Sequence, residues 1–192
     1  HRINRRQRQM CIRDSSKGVT MGSDLLSIEG ETPEFIVWAQ KDKHGAPLQR
    51  VQIIKGWVDM ASGRPKEKVF DIACSDNLEP DPITNRCPDN GARVNINDCS
   101  ITTNIGASEL KTIWKDPEFS AEDKSFYYVR VLENPSCRWS TWDAIKSGYK
   151  PREDLHETIQ ERAWTSPIWY IPVDSNVEVI PLGGTIQLRN ID

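Results

Sequence analysis

The chain has 192 residues, 37% hydrophobic and 28% charged, with 11 Gly and 12 Pro. That is enough apolar material for one domain with its own core and too much for a disordered segment. Its 25 basic and 28 acidic side chains leave a net charge of −3, which excludes a general nucleic-acid binder, because neutralising phosphates needs clustered Lys and Arg. No run reaches the roughly 18 consecutive apolar residues of a membrane-spanning helix.

The one basic cluster, Arg2, Arg5, Arg6, Arg8 and Arg13, lies in residues 1–14, which show no apolar periodicity and no helix caps. Residues 5–14 resemble one reading frame of a transposase adapter used in sequencing libraries. Residues 1–14 are therefore expected to be an adapter artefact, disordered and outside the fold, and are set aside as a processing segment would be. The other reading is a basic arm for nucleic acid. Without that segment 20 basic residues face 27 acidic ones, so the remainder is plainly acidic. On the adapter reading the chain opens in mid-gene. It is then a C-terminal piece, with residues 15–32 the lead-in from a missing N-terminal domain.

From Pro33 short β-rich runs alternate with turn residues, which predicts a mainly β fold, an antiparallel β-sandwich over residues 33–172. The first strand is Glu34 to Lys41, turned by Lys43-His-Gly-Ala-Pro47. Arg50 to Asp59 follows, with Val51, Ile53 and Trp57 on one face and Ile54 and Val58 on the other, the pattern of a strand covered on both sides. A third strand, Glu67 to Cys74, follows the turn Ala61-Ser-Gly-Arg-Pro65; the sequential trio suggests a meander. Residues 75–99 are rich in Pro, Asp and Asn and are predicted to form a long surface loop, which cannot bury apolar area of its own.

Ser108 to Lys115 alternates weakly, and Ser125 to Glu133 is the strongest strand signal in the chain. Ser140 to Gly148 has a Ser or Thr start and a Gly stop, which predicts one short helix of about two turns. Thr158 to Trp164 and Ser166 to Ile171 close the pattern, with Pro167 forcing an edge position, a bend or a strand start. Residues 173–192 form a C-terminal tail or an extra hairpin through Gly183-Gly184.

With Cys11 set aside, four cysteines remain, Cys74, Cys87, Cys99 and Cys137. Their spacing lacks the close Cys-x-x-Cys pairs of zinc sites, so disulfides are expected, Cys74 with Cys87 and Cys99 with Cys137. Paired sulfurs place the protein in a periplasmic or extracellular compartment; four reduced thiols in the cytosol is the competing reading. His44 and His156 lie in a turn and a polar loop without metal-ligand or triad spacing, so no catalytic residue is expected. Asp76, Asn77, Asp81, Asn85, Asp89 and Asn90 offer hard oxygens, but not in the spacing of the helix-flanked calcium loop; turn formation is the plainer reading. Trp139, Trp142 and Tyr149 cluster near the short helix, where they either stack on a sugar ring or lid the core.

At Gly18-Val-Thr-Met-Gly-Ser-Asp-Leu25, Phe35-Ile-Val-Trp-Ala39 and Val51-Gln-Ile-Ile-Lys-Gly-Trp57 the sequence resembles the bacterial domain-of-unknown-function family 3604. The likeness continues through Asn104 to Leu110, Phe126 to Glu133, Arg138-Trp-Ser-Thr-Trp-Asp143 and Ile159-Gln-Glu-Arg-Ala-Trp-Thr-Ser-Pro-Ile-Trp-Tyr170. It covers about residues 18–172. It implies a C-terminal portion of a longer exported protein, whose missing N-terminal part is similar to the polymerase-and-histidinol-phosphatase (PHP) superfamily of metal-dependent hydrolases. Any divalent metal would belong to that part, since the family's His-rich motifs have no counterpart here and no cofactor is expected in this chain. The expected function is that of a non-catalytic β-sandwich packed on its own missing N-terminal domain. Met21, Asp24 and Leu25 form the expected interdomain contact. The alternative is a carbohydrate-binding module using Trp139, Trp142 and Tyr149.

Overall fold

The computed structural model describes residues 18–27, 32–59, 61–173, 177–182 and 185–190. The segment read as adapter, the tip Gly183-Gly184 and Cys11 lie outside these. The elements in chain order are β1 (Asp24–Ser27), β2 (Glu34–Gln40), β3 (Leu48–Val58), β4 (Pro65–Cys74), β5 (Val94–Asn95), β6 (Ser100–Ile101), β7 (Glu109–Lys115), β8 (Ser125–Glu133), β9 (Ser136–Cys137), α1 (Trp139–Lys146), β10 (Thr158–Ile159), β11 (Arg162–Trp164), β12 (Ile168–Pro172), β13 (Val177–Leu182) and β14 (Thr185–Asn190). The fold is mainly β, with one helix among the described residues.

The large sheet runs β1-β12-β8-β3-β4, with β11 also on β8. All its pairings are antiparallel except β1 with β12. A two-stranded antiparallel ribbon, β2 with β7, forms the second layer. β2 alternates cleanly, burying Phe35, Val37 and Ala39 and turning Trp38 and Gln40 outward. Those inner residues, with Leu110, close on Val51 and Ile53 of β3, Tyr127, Val129 and Val131 of β8, and Ile168 and Tyr170 of β12. This is the core of a β-sandwich. The Phe35 and Tyr127 rings meet at 4.7 Å, and Trp114 of β7 reaches Phe70 of β4 at 5.2 Å.

The expected meander is not formed. β3 and β4 make a hairpin, but β2 crosses to the other layer and pairs with β7, 71 residues away at the Trp38–Glu109 contact. The reason lies in burial: β3 is enclosed on both faces and takes an interior place in the large sheet, between β8 and β4, whereas one-sided β2 suits a covering ribbon. The helix also begins earlier than its Ser and Thr residues suggest. Arg138 is the N-cap, without a side-chain cap, and Thr141 turns inward to donate its hydroxyl to the Glu157 carbonyl at 2.8 Å. Gly148, at φ +71°, ends it, as a left-handed position favours glycine. Pro167 interrupts an edge that would otherwise be continuous. Thr165 still pairs with Val129, through both its backbone N–H and its hydroxyl, and β12 starts directly after the proline. At the C-terminus β13 and β14 pair antiparallel, with Leu182 opposite Thr185.

The long loop is tied as the spacings suggest, by Cys74–Cys87 and Cys99–Cys137. Its acidic side chains organise turns: Asp81 accepts the N–H groups of Ile83 and Thr84, and Asp89 accepts that of Gly91 while pairing with Arg93. Among the described residues no group of three or more His, Cys, Asp or Glu is placed to hold a metal ion. Buried Asn134 pins the loop to the sandwich: its Nδ2 donates to the Ile105 carbonyl, its N–H to the Pro47 carbonyl, and its Oδ1 accepts from Asn90. Gly106 sits against it at φ +99°, where an added Cβ would lie 2.6 Å from both Asn134 Nδ2 and the Pro47 Cβ. Gly106→Ala is expected to cost roughly 2 to 3 kcal/mol, combining left-handed strain with overpacking. Chemical denaturation would measure it, and a midpoint equal to that of the parent chain would contradict the pinning role.

Candidate functional site

The sequence of β3, β7 and β8 places one ionisable cluster inside the sandwich. Lys55 Nζ lies 2.5 Å from Asp116 and donates to the Glu118 carbonyl at 2.6 Å, while the Tyr127 hydroxyl donates to Asp116 at 2.8 Å. Burial, first of all, pushes the Tyr127 phenol well above its ordinary range, and the Asp116 charge adds to it. A Lys–Asp–Tyr constellation is a familiar set of proton-transfer groups. Here both ion-pair partners are enclosed, with Lys55 over the Trp57 ring at 5.0 Å. The cluster therefore closes one end of the core and presents no atom to a substrate.

Surface chemistry is concentrated on the opposite face of the large sheet, the one turned away from β2 and β7. On β8 the odd residues Tyr127, Val129 and Val131 enter the core, so Phe126, Tyr128, Arg130 and Leu132 belong to the outer face. Register fixes their neighbours. Phe126 lies between Gly56 of β3 and Trp169 of β12, and Trp169 is followed by Asp24 of β1. A Cβ at position 56 would fall 2.2 Å from the Phe126 ring, so glycine is what lets that ring lie flat on the sheet. Phe126 stacks with Tyr128 at 6.3 Å and tilts against Trp169 at 5.2 Å. Further along, Trp164 of β11 stands opposite Arg130. Trp169 is 47% exposed and Trp164 57%, values well above those of indoles that lid a core. The result is an aromatic stripe on the outer face of the sheet, exposed at Trp164 and Trp169.

The Trp164 end of the stripe is basic. Two cross-strand rows run there, Asp71–Gln52–Arg130–Trp164 and Cys74–Arg50–Leu132–Arg162. The Asp71 carboxylate is fully enclosed; it accepts from Gln52 Nε2 at 2.6 Å and from the Cys87 N–H at 2.7 Å, with Arg86 Nη1 at 3.4 Å. Gln52 turns its Oε1 to Arg130 Nε at 2.6 Å. Arg50 Nε is buried without a hydrogen-bond partner, 3.7 Å from Asp71.

The residues expected to matter are placed as follows. Trp139 opens α1 and Tyr149 follows it, at 73% and 76% exposure, and Trp142 is 40% exposed with Lys146 over its ring at 5.1 Å. None of these three lids the core. Met21 and Asp24 are exposed at the β1 edge, while Leu25 packs on the core. Residues 24–27 thus form an edge strand of the large sheet. Gly22 donates to the Pro167 carbonyl, and Trp169 to that of Ser23. Sequence reasoning passed over Phe126, Tyr128, Trp164, Trp169 and the arginines as site residues. The available signal was Phe126-Tyr-Tyr128, aromatic on both parities of one strand, which obliges one aromatic set to lie on each face.

Among the described residues no helix is long and apolar enough to cross a membrane. The family model described as a protein of unknown function (DUF3604) matches residues 3–172. No curated protein and no solved structure matches the chain.

Proposed function

Because this chain belongs to the DUF3604 family, we propose that it is the non-catalytic accessory β-sandwich of an exported protein, packed through its β1 edge against a hydrolase domain of PHP type. The metal and the catalytic groups belong to that partner domain, and the sandwich stabilises it and borders its cleft. The observation that carries the reading is the β1 corner of the large sheet, where Met21 and Trp169 are exposed on hydrogen-bonded neighbouring segments. Aromatic and Met side chains on a rigid edge are what a domain interface uses. The two disulfides support an oxidising compartment.

The 192-residue chain is expected to show no metal-stimulated phosphoesterase turnover with Mn²⁺ or Zn²⁺. It is expected to co-purify with a separately expressed PHP-like portion of a DUF3604 protein. Met21→Ala with Trp169→Ala should weaken that complex about tenfold, as loss of an interface anchor does. Turnover by the chain alone, or undiminished co-purification of the variant, would refute the reading.

A second reading, a carbohydrate-recognition module on α1, is favoured by the exposure of Trp139, Trp142 and Tyr149. Binding on a glycan array that disappears in Trp142→Ala would establish it, and an array showing no such signal would dismiss it.

A further inference from the structure

The basic corner of the outer sheet face has no part in either reading above. Arg50 and Arg86 lie against the Asp71 carboxylate, Arg130 is tied to it through Gln52, and Arg162 stands in the adjoining cross-strand row. A corner of four arginines stands out on a chain whose overall charge is −3. Only Arg50 and Arg86 have Asp71 within ion-pair distance, and the buried Arg50 Nε lacks an acceptor at hydrogen-bonding distance. Asp71 and Gln52 nevertheless hold the arginines in place. Gln52 ties Arg130 through Nε alone; its terminal nitrogens make no hydrogen bond among the described residues. A guanidinium tethered in this way offers two parallel N–H donors, the geometry that meets a carboxylate bidentately.

Beside these donors lies a flat apolar surface. Trp164 stands directly opposite Arg130, and Tyr128 is two residues further along β8, which at about 3.3 Å per residue puts it about 7 Å away. The indole of Trp164 is more than half exposed. Extended anions of the nucleic-acid kind need a broad basic field, which this acidic chain lacks. A compact ring with one apolar face and one carboxylate matches the juxtaposition in size and in charge.

We propose that the Trp164–Arg130 corner binds an acidic oligosaccharide, with a sugar ring stacked on Trp164 and its carboxylate received by Arg130 and Arg162. The ligand class is a uronic-acid chain. Docking to another domain through β1 is neither required nor excluded by this binding.

The test is calorimetric titration of the full 192-residue chain with oligogalacturonate. Neutral cello-oligosaccharide, inorganic phosphate and oligoglutamate serve as comparison probes. Oligogalacturonate is expected to bind, with an affinity that falls as NaCl rises, since the ion pairs at this exposed site are screened. Trp164→Ala and Arg162→Ala, both exposed positions that leave the core untouched, should each lower affinity about tenfold. Arg130→Gln, with folding verified by circular dichroism, should lower it at least as much. The proposal is overturned by absence of oligogalacturonate binding, or by equal binding of the neutral oligosaccharide. Binding of phosphate or oligoglutamate that Trp164→Ala leaves unchanged would also overturn it, because charge alone would then account for the site.

Discussion

Asp116→Ala is expected to be among the most destabilising single substitutions in this protein, at roughly 3 to 5 kcal/mol, the cost of stripping a buried ion of its partner. Asp116 receives the Lys55 ammonium, the Tyr127 hydroxyl and the Glu118 N–H at once. Removing it strands a cation on an interior strand of the large sheet and orphans the phenol beside it. The cost comes from desolvated groups left unpaired, so it should be recoverable by removing all of them. Lys55→Met, Asp116→Leu and Tyr127→Phe combined are expected to restore most of the lost stability, since a buried ion pair gains little over well-packed apolar groups. Urea denaturation of the single and triple variants decides the matter. A single variant within about 1 kcal/mol of the parent, or a triple variant no better than the single, would mean the cluster is not a buried electrostatic pin.

Loss of the Cys99–Cys137 bridge is the second large effect. It closes a separation of 38 residues, for which the chain-entropy account gives roughly 4 kcal/mol, against roughly 3 kcal/mol for the separation of 13 closed by Cys74–Cys87. The longer bridge also joins two regions with little core of their own, the loop carrying β5 and β6 and the segment carrying β9 and α1. Cys99→Ser with Cys137→Ser should therefore lower the denaturation midpoint more than Cys74→Ser with Cys87→Ser. It should also open residues 94–104 and 138–157 to limited proteolysis before the sandwich itself is cut. The reverse order of stabilities, or unchanged protease resistance in both regions, would show that α1 is anchored by Thr141 and its neighbours without help from the sulfurs.

Reading the residues in order recovers much of this architecture, because the signals involved are local. Runs of β-forming residues mark β2 and β8, Gly148 stops the helix, and Pro and Asp crowding identifies the loop between Cys74 and Cys99. Even the cysteine pairing joins neighbours in sequence order, first with second and third with fourth. What stayed hidden concerns partnership. Nothing local in Glu34 to Gln40 tells that β2 leaves its sequence neighbour for β7, because that choice depends on which strand is enclosed on both faces.

The same limit applies to the surface. Alternation assigns Tyr128, Arg130 and Trp164 to an outer face, yet Arg50, Arg130 and Arg162 belong to three strands far apart in the chain. Sequence by itself determined the β-rich order, the covalent ties and the two-sided character of β3. Tertiary structure alone decided which side chains stand next to one another. Cross-strand register is a non-local outcome of burying the opposite face, and it is register that sets Trp164 beside Arg130 and folds the Phe126 ring over Gly56.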